Sequence, residues 1–165
     1  MPVLESLTAA FEPWSTLYSE STALSVGLTF AHLAAMMVGG GLALSADRTL
    51  LRRGSRTTAE ERVVLAATLS DVHRPVVLAL AVSALSGALQ LAADIEALAV
   101  NRIMWIKFGL LLALAANGAL MLRNEQAVRR DGGVGTAFGA LRVHAITSVV
   151  LWLAITLAGV GLMQG

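Results

Sequence analysis

Four apolar runs, at 23–44, 75–93, 103–122 and 143–163, constrain this chain more than any other feature. Each is close to the ~20 residues that a helix rising 1.5 Å per residue needs to cross a ~30 Å hydrocarbon core. Inside such a core every backbone N–H and C=O must be satisfied within the protein, so runs of this length predict transmembrane helices rather than loops or open strands. Composition agrees: 14% of residues are charged and the mean hydropathy is +0.73. Soluble chains carry about 25% charged residues. The expected fold is all-α, an integral membrane four-helix bundle forming a single domain over residues 1–165.

Basic residues decide the orientation. Of twelve Lys and Arg, ten lie in two connecting segments: Arg48, Arg52, Arg53, Arg56, Arg62 and Arg74 after the first run, then Arg123, Arg129, Arg130 and Arg142 between the third and fourth. The positive-inside bias places those segments in the cytoplasm and both termini outside, and the acidic N-terminal stretch with Glu5, Glu12 and Glu20 is consistent with that. A net charge of +1 gives no basis for a nucleic-acid partner. With no cysteine there is no disulfide and no thiolate ligand, so any metal would be held by His, Met, Lys or carboxylate. The first twenty residues lack a basic stretch followed by an apolar one, so no cleavable signal peptide is expected and the first span itself directs insertion.

Two short interfacial helices are expected beside the spans. Leu4, Leu7, Phe11, Trp14 and Tyr18 recur at helical steps over 4–18, with Pro13 interrupting the stripe and Trp14 and Tyr18 suited to the headgroup level. After a turn at GSRTT, an amphipathic pattern runs over about 58–72, with Thr58 as N-cap and Glu60 and Glu61 in the first turn. Pro75 then reads as the point where the chain turns into the second span, leaving Asp71, His73 and Arg74 at the cytoplasmic surface.

The polar residues inside the spans carry the functional question. His32 sits about ten residues into the first span, sharing a face with Ala35, Met36, Gly39 and Ala43, small enough to admit a neighbouring helix or a flat cofactor. Ser83, Ser86, Gly87 and Gln90 form one stripe of the second, facing the bundle for interhelical hydrogen bonds or for a cofactor. Lys107 lies ~7 Å below the outer surface, where it either snorkels out or meets His32. Asn117 is too deep to escape and must bond across helices, with Ser83, Ser86, Thr147 or Ser148 at similar depth. His144 opens the fourth span, level with His73 and away from His32.

In order along the chain, FAHLAAMMVGG, then HRPVVLALAVSALSGALQL, then WIKFGL resembles the HemJ-type protoporphyrinogen IX oxidases and the CopD-type membrane domains, and more nearly the small bacterial four-helix membrane proteins of that group. The resemblance covers roughly residues 23–163. It implies a bacterial-type inner (plasma) membrane, a b-haem site, and His32 and Lys107 as its functional residues. The chain departs from the pattern where the family has a Trp before the helix-one Gly (Met37 or Val38 here), a His late in helix three (Asn117), and an Asn-Glu-Pro motif opening helix four (VHAIT). The resemblance thus bears on the bundle and the haem more than on the oxidase activity.

Three functions are expected to compete. The first is a b-haem or porphyrin-binding redox protein with His32 as axial and metal ligand and Lys107, His144 or His73 as the second polar partner. Burial disfavours a charged lysine, so Lys107 would ligate iron as a neutral amine or hold a propionate as a cation. The second is a non-enzymatic accessory subunit that forms homo-oligomers or joins a larger membrane complex through Gly- and Ala-rich faces. The third is a copper or small-ion transporter using Met36, Met37, Met104 and His32 as soft ligands.

Overall fold

The structure is a computed structural model that describes residues 2–53 and 57–162. The turn expected at 54–56, the last residue of the fourth run and the side chain of Leu4 lie outside the described residues. Among the described residues six helices follow one another: α1 (Pro2–Glu20), α2 (Thr22–Arg53), α3 (Ala59–Ala93), α4 (Ile95–Ala99), α5 (Arg102–Arg130) and α6 (Ala137–Leu162). The four long ones, α2, α3, α5 and α6, are each long and apolar enough to cross a membrane. They form the expected all-α four-helix bundle of a multi-pass membrane protein. α2 packs on α3 and α6, and α5 packs on the same two, so α2 and α5 face one another across the bundle axis.

Of the two expected interfacial helices, the one over 4–18 is present as α1, and the other needs correction. The segment over about 58–72 is not separate: α3 runs unbroken from Ala59 to Ala93 with Pro75 inside it. The chain does not turn at Pro75 because residues before it are held in line with the span. Leu65, Ala66 and Leu69 are buried with Met121, Val128, Phe138 and Leu141 of α5 and α6. Burying Leu65 and Leu69 contributes about 1.5–3 kcal/mol each, which offsets the ~3 kcal/mol that an interior proline costs. The start of α3 is as expected, a capping box in which Thr58 Oγ1 accepts from Glu61 N at 3.3 Å and Glu61 Oε2 accepts from Thr58 N at 2.8 Å.

Pro13 likewise does not interrupt α1. The residues just past it dock on the end of α3, where Trp14 Nε1 donates to Leu89 O at 2.8 Å and Ser15 Oγ to Ala93 O at 2.7 Å. The second bond satisfies a helix-terminal carbonyl that has no partner within α3. α1 and α4 therefore share one end of the bundle, opposite the arginine-rich segments.

That arginine-rich end continues as packed helix beyond the apolar runs, and one apolar cluster (Leu50, Leu65, Leu69, Val128, Phe138, Leu141) fills it. The turn between α5 and α6 closes it. Gly132 and Gly133 take φ of +66° and +80°, and Gly133 lies hard against the Ala59 backbone while its carbonyl accepts from Arg62 Nη1 at 3.2 Å. A second cluster, Leu114, Trp152 and Ile155, lies at mid-bundle. There the small-residue face of α2 is taken up by neighbouring helices: a Cβ on Gly39 would meet Ala79 Cβ at 3.0 Å, and one on Gly40 would meet Trp152 at 3.2 Å.

Candidate functional site

Toward the α1 end, beyond Leu114, Trp152 and Ile155, the bundle interior is polar. α2 contributes His32, α3 contributes Ser83, Ser86 and Gly87, α5 contributes Lys107, and Gly159 of α6 stands beside it. The His32 ring fits because residue 87 is glycine, since a Cβ there would lie 3.1 Å from His32 Cε1. Its Nδ1 is 2.9 Å from Ser83 O and 3.2 Å from Ser86 Oγ. A carbonyl only accepts, so Nδ1 carries the proton and Nε2 is left with a free lone pair. Lys107 Nζ reaches across the bundle to that nitrogen at 3.4 Å.

Lys107 is half-buried between exposed neighbours Ile106 and Phe108 at 58% and 39%, so of these three side chains it is the one directed inward. Among the described residues no carboxylate lies within ion-pair distance of it. Of its three N–H donors the imidazole accepts one, and a Cβ at position 159 would still stand 3.8 Å from Nζ. The site thus offers one nitrogen lone pair, shared with Lys107, and one amine without a carboxylate partner. The Ser83–Gln90 stripe is committed to α2: Ser83 and Ser86 hold His32, and Gln90 Nε2 donates to Leu28 O at 3.3 Å.

The other candidate residues are elsewhere. His144 donates from Nδ1 to Asn117 Oδ1 at 2.8 Å, and Asn117 Nδ2 donates back to His144 O at 3.0 Å. Asn117 does bond across helices, but to His144 and not to Ser83, Ser86, Thr147 or Ser148. Ser83 and Ser86 are engaged by His32, and Thr147 Oγ1 donates to Val143 O within its own helix. His73 is at the arginine-rich end, its Nδ1 3.0 Å from Leu69 O and 3.6 Å from Glu125 Oε1. Met104 is buried and Met36 packs on the mid-bundle cluster, whereas Met37 is 76% exposed and points away from the interior. Among the described residues no group of three His, Cys, Asp or Glu is placed to hold a metal ion.

Two buried carboxylates, Asp47 at 2% exposure and Glu125 at 1%, add to the residues singled out from the sequence. Their signal was present. Leu114, Asn117, Met121, Glu125 and Val128, all buried, recur at three- and four-residue steps, so the buried stripe of α5 runs straight through Glu125. Asp47 and Leu50 are likewise three apart on the buried side of α2. Comparison with known proteins returns no matching family model, no matching curated protein and no matching solved structure.

Proposed function

We propose that this membrane protein binds a b-haem or porphyrin at the His32–Lys107 site and acts in electron transfer or redox chemistry there. The observation that supports this reading is the imidazole held by Ser83 O at Nδ1 with its Nε2 lone pair directed into the bundle interior. Metal-bound histidines have that arrangement, with the second nitrogen donating to a carbonyl that fixes the tautomer and the ring. The donor set fits the group: His32 would hold the iron through Nε2, and Lys107, without a carboxylate of its own, would pair with an acidic substituent of the macrocycle. When bound, haem supplies reversible one-electron chemistry. The protein's share is to fix the ring of His32, place one cation beside it, and keep the site apart from the arginine-rich end by Leu114, Trp152 and Ile155.

The visible spectrum of protein purified in detergent after expression with haem supplied tests this directly. A Soret band is expected, lost in His32→Ala and retained in His73→Ala. A colourless wild type under those conditions rejects it.

A second reading, an accessory subunit of a membrane complex or homo-oligomer, is favoured by a separate observation. Gly27, Gly41 and Gly109 are exposed with nothing near the position of an added Cβ, so small-residue faces remain on the outside of the bundle. Its mark would be a colourless protein that co-purifies with partners, and those contacts would be lost on replacing these glycines by leucine.

A further inference from the structure

Glu125 belongs to no part of the site above. It lies on α5 among the buried residues of the arginine-rich end, 1% exposed, and neither carboxylate oxygen accepts a hydrogen bond from the described residues. A carboxylate removed from water without donors is costly, by several kcal/mol even after relaxation, and a helix bundle has no reason to keep one for packing when leucine fills the same space. One titratable side chain is placed to serve it. His73 of α3 brings Nδ1 to 3.6 Å from Oε1, and its side chain is 18% exposed, so the ring spans from buried carboxyl to the surface.

The surrounding helices contribute further charged and titratable groups at this end. Arg129 of α5, exposed and one turn on, acts on Glu125 through space. Asp47 of α2 is buried beside Ser148 of α6 with Oδ2 unpartnered. Arg142 and His144 of α6 are half-buried, and His144 is occupied by Asn117. On α3, Arg62 is tied to Gly133 O and stacks over Phe138, while Asp71 and Arg74 are exposed. Among the described residues only His73 comes within ion-pair distance of Glu125.

We propose that Glu125 is a proton-binding site that opens on the arginine-rich end, with His73 as its route to water. The ligand is the proton itself. A proton arrives from water at His73 Nε2, the Nδ1–H turns from Leu69 O at 3.0 Å to Glu125 Oε1, the N–H bond breaks and the O–H bond forms there, which leaves His73 neutral and the carboxyl uncharged. The route stops there, because Leu114, Trp152 and Ile155 lie between this end and His32. Glu125 is therefore loaded and unloaded from one side, whatever His32 and Lys107 hold.

Infrared spectroscopy of the purified protein at neutral pH tests this. The wild type is expected to show the C=O stretch of a protonated carboxyl, shifted by transfer to deuterium oxide and absent from Glu125→Gln. Labelling the protein with isotopic glutamate should move the same band, which assigns it without relying on the fold of a variant. His73→Ala should slow its deuterium exchange severalfold, while Glu60→Gln, at an exposed position of the same end, should change neither band nor exchange. A spectrum in which no glutamate carboxyl is protonated overturns the site. Exchange as fast in His73→Ala as in wild type overturns the route.

Discussion

At the scale of single residues, each polar group in the bundle interior has a different way of meeting the cost of being there. Asn117 and His144 close on each other with two hydrogen bonds, and His32 is held by Ser83. Asn117→Leu removes both of the first pair and strands the His144 ring, so a loss of about 1–3 kcal/mol is expected. Thermal unfolding in detergent should register it, while any spectrum that depends on His32 stays unchanged. Loss of the spectrum with unchanged stability would move Asn117 into the site. Gly87→Ala is a finer probe. Its Cβ would sit 3.1 Å from His32 Cε1, so the ring must shift by a few tenths of an ångström from Ser83 O, and a shifted or weakened cofactor spectrum is expected with little loss of fold. Much at this scale was legible: a ~7 Å offset in depth that a lysine stem can span brought His32 and Lys107 together on paper. The partner of Asn117 was not, because depth alone does not say which face of α6 turns toward α5. Glu125 was legible in principle, since its place on the stripe with Asn117 and Met121 requires only counting in threes and fours.

At the scale of elements, proline was the misleading signal. Read alone, Pro13 and Pro75 each suggest a break, yet α1 and α3 pass through both. A proline removes one N–H and crowds the carbonyl four residues earlier, a local cost of ~3 kcal/mol. Whether the helix breaks depends on what both flanks bury, and the apolar residues from Leu65 to Leu69 were visible without showing that α5 and α6 extend far enough to cover them. Pro75→Ala should therefore stabilise α3 or leave it unchanged, read as a thermal midpoint no lower than wild type; a clear fall would mean that Pro75 holds a kink the bundle needs. The opposite is expected at the α5–α6 turn. Gly133→Ala forces a side chain into a left-handed conformation and against the Ala59 backbone, so a loss exceeding the ~1 kcal/mol usual for strained backbone is expected, with proteolysis increasing at this end.

For the whole molecule, the bundle divides into three layers along its axis: a polar site toward α1, a mid-bundle apolar layer, and an arginine-rich end with its own core and a buried acid. The distribution of Arg predicts that the third layer is cytoplasmic. Single cysteines at exposed Arg53 and Arg130 should be protected from an impermeant thiol reagent in intact cells, and cysteines at exposed Ser19 and Ala97 should react; the reverse pattern inverts the orientation. The central claim is that His32 and Lys107 form one site inside the bundle, and the chain itself supplies the probe, because Lys107 is its only lysine. Mass spectrometry of the Lys107 peptide after brief treatment with an impermeant amine-acylating reagent measures whether the amine is turned inward. Slow labelling in the wild type and markedly faster labelling in His32→Ala are expected; rapid labelling in the wild type, unaffected by His32→Ala, would show an amine in bulk water and contradict the shared site.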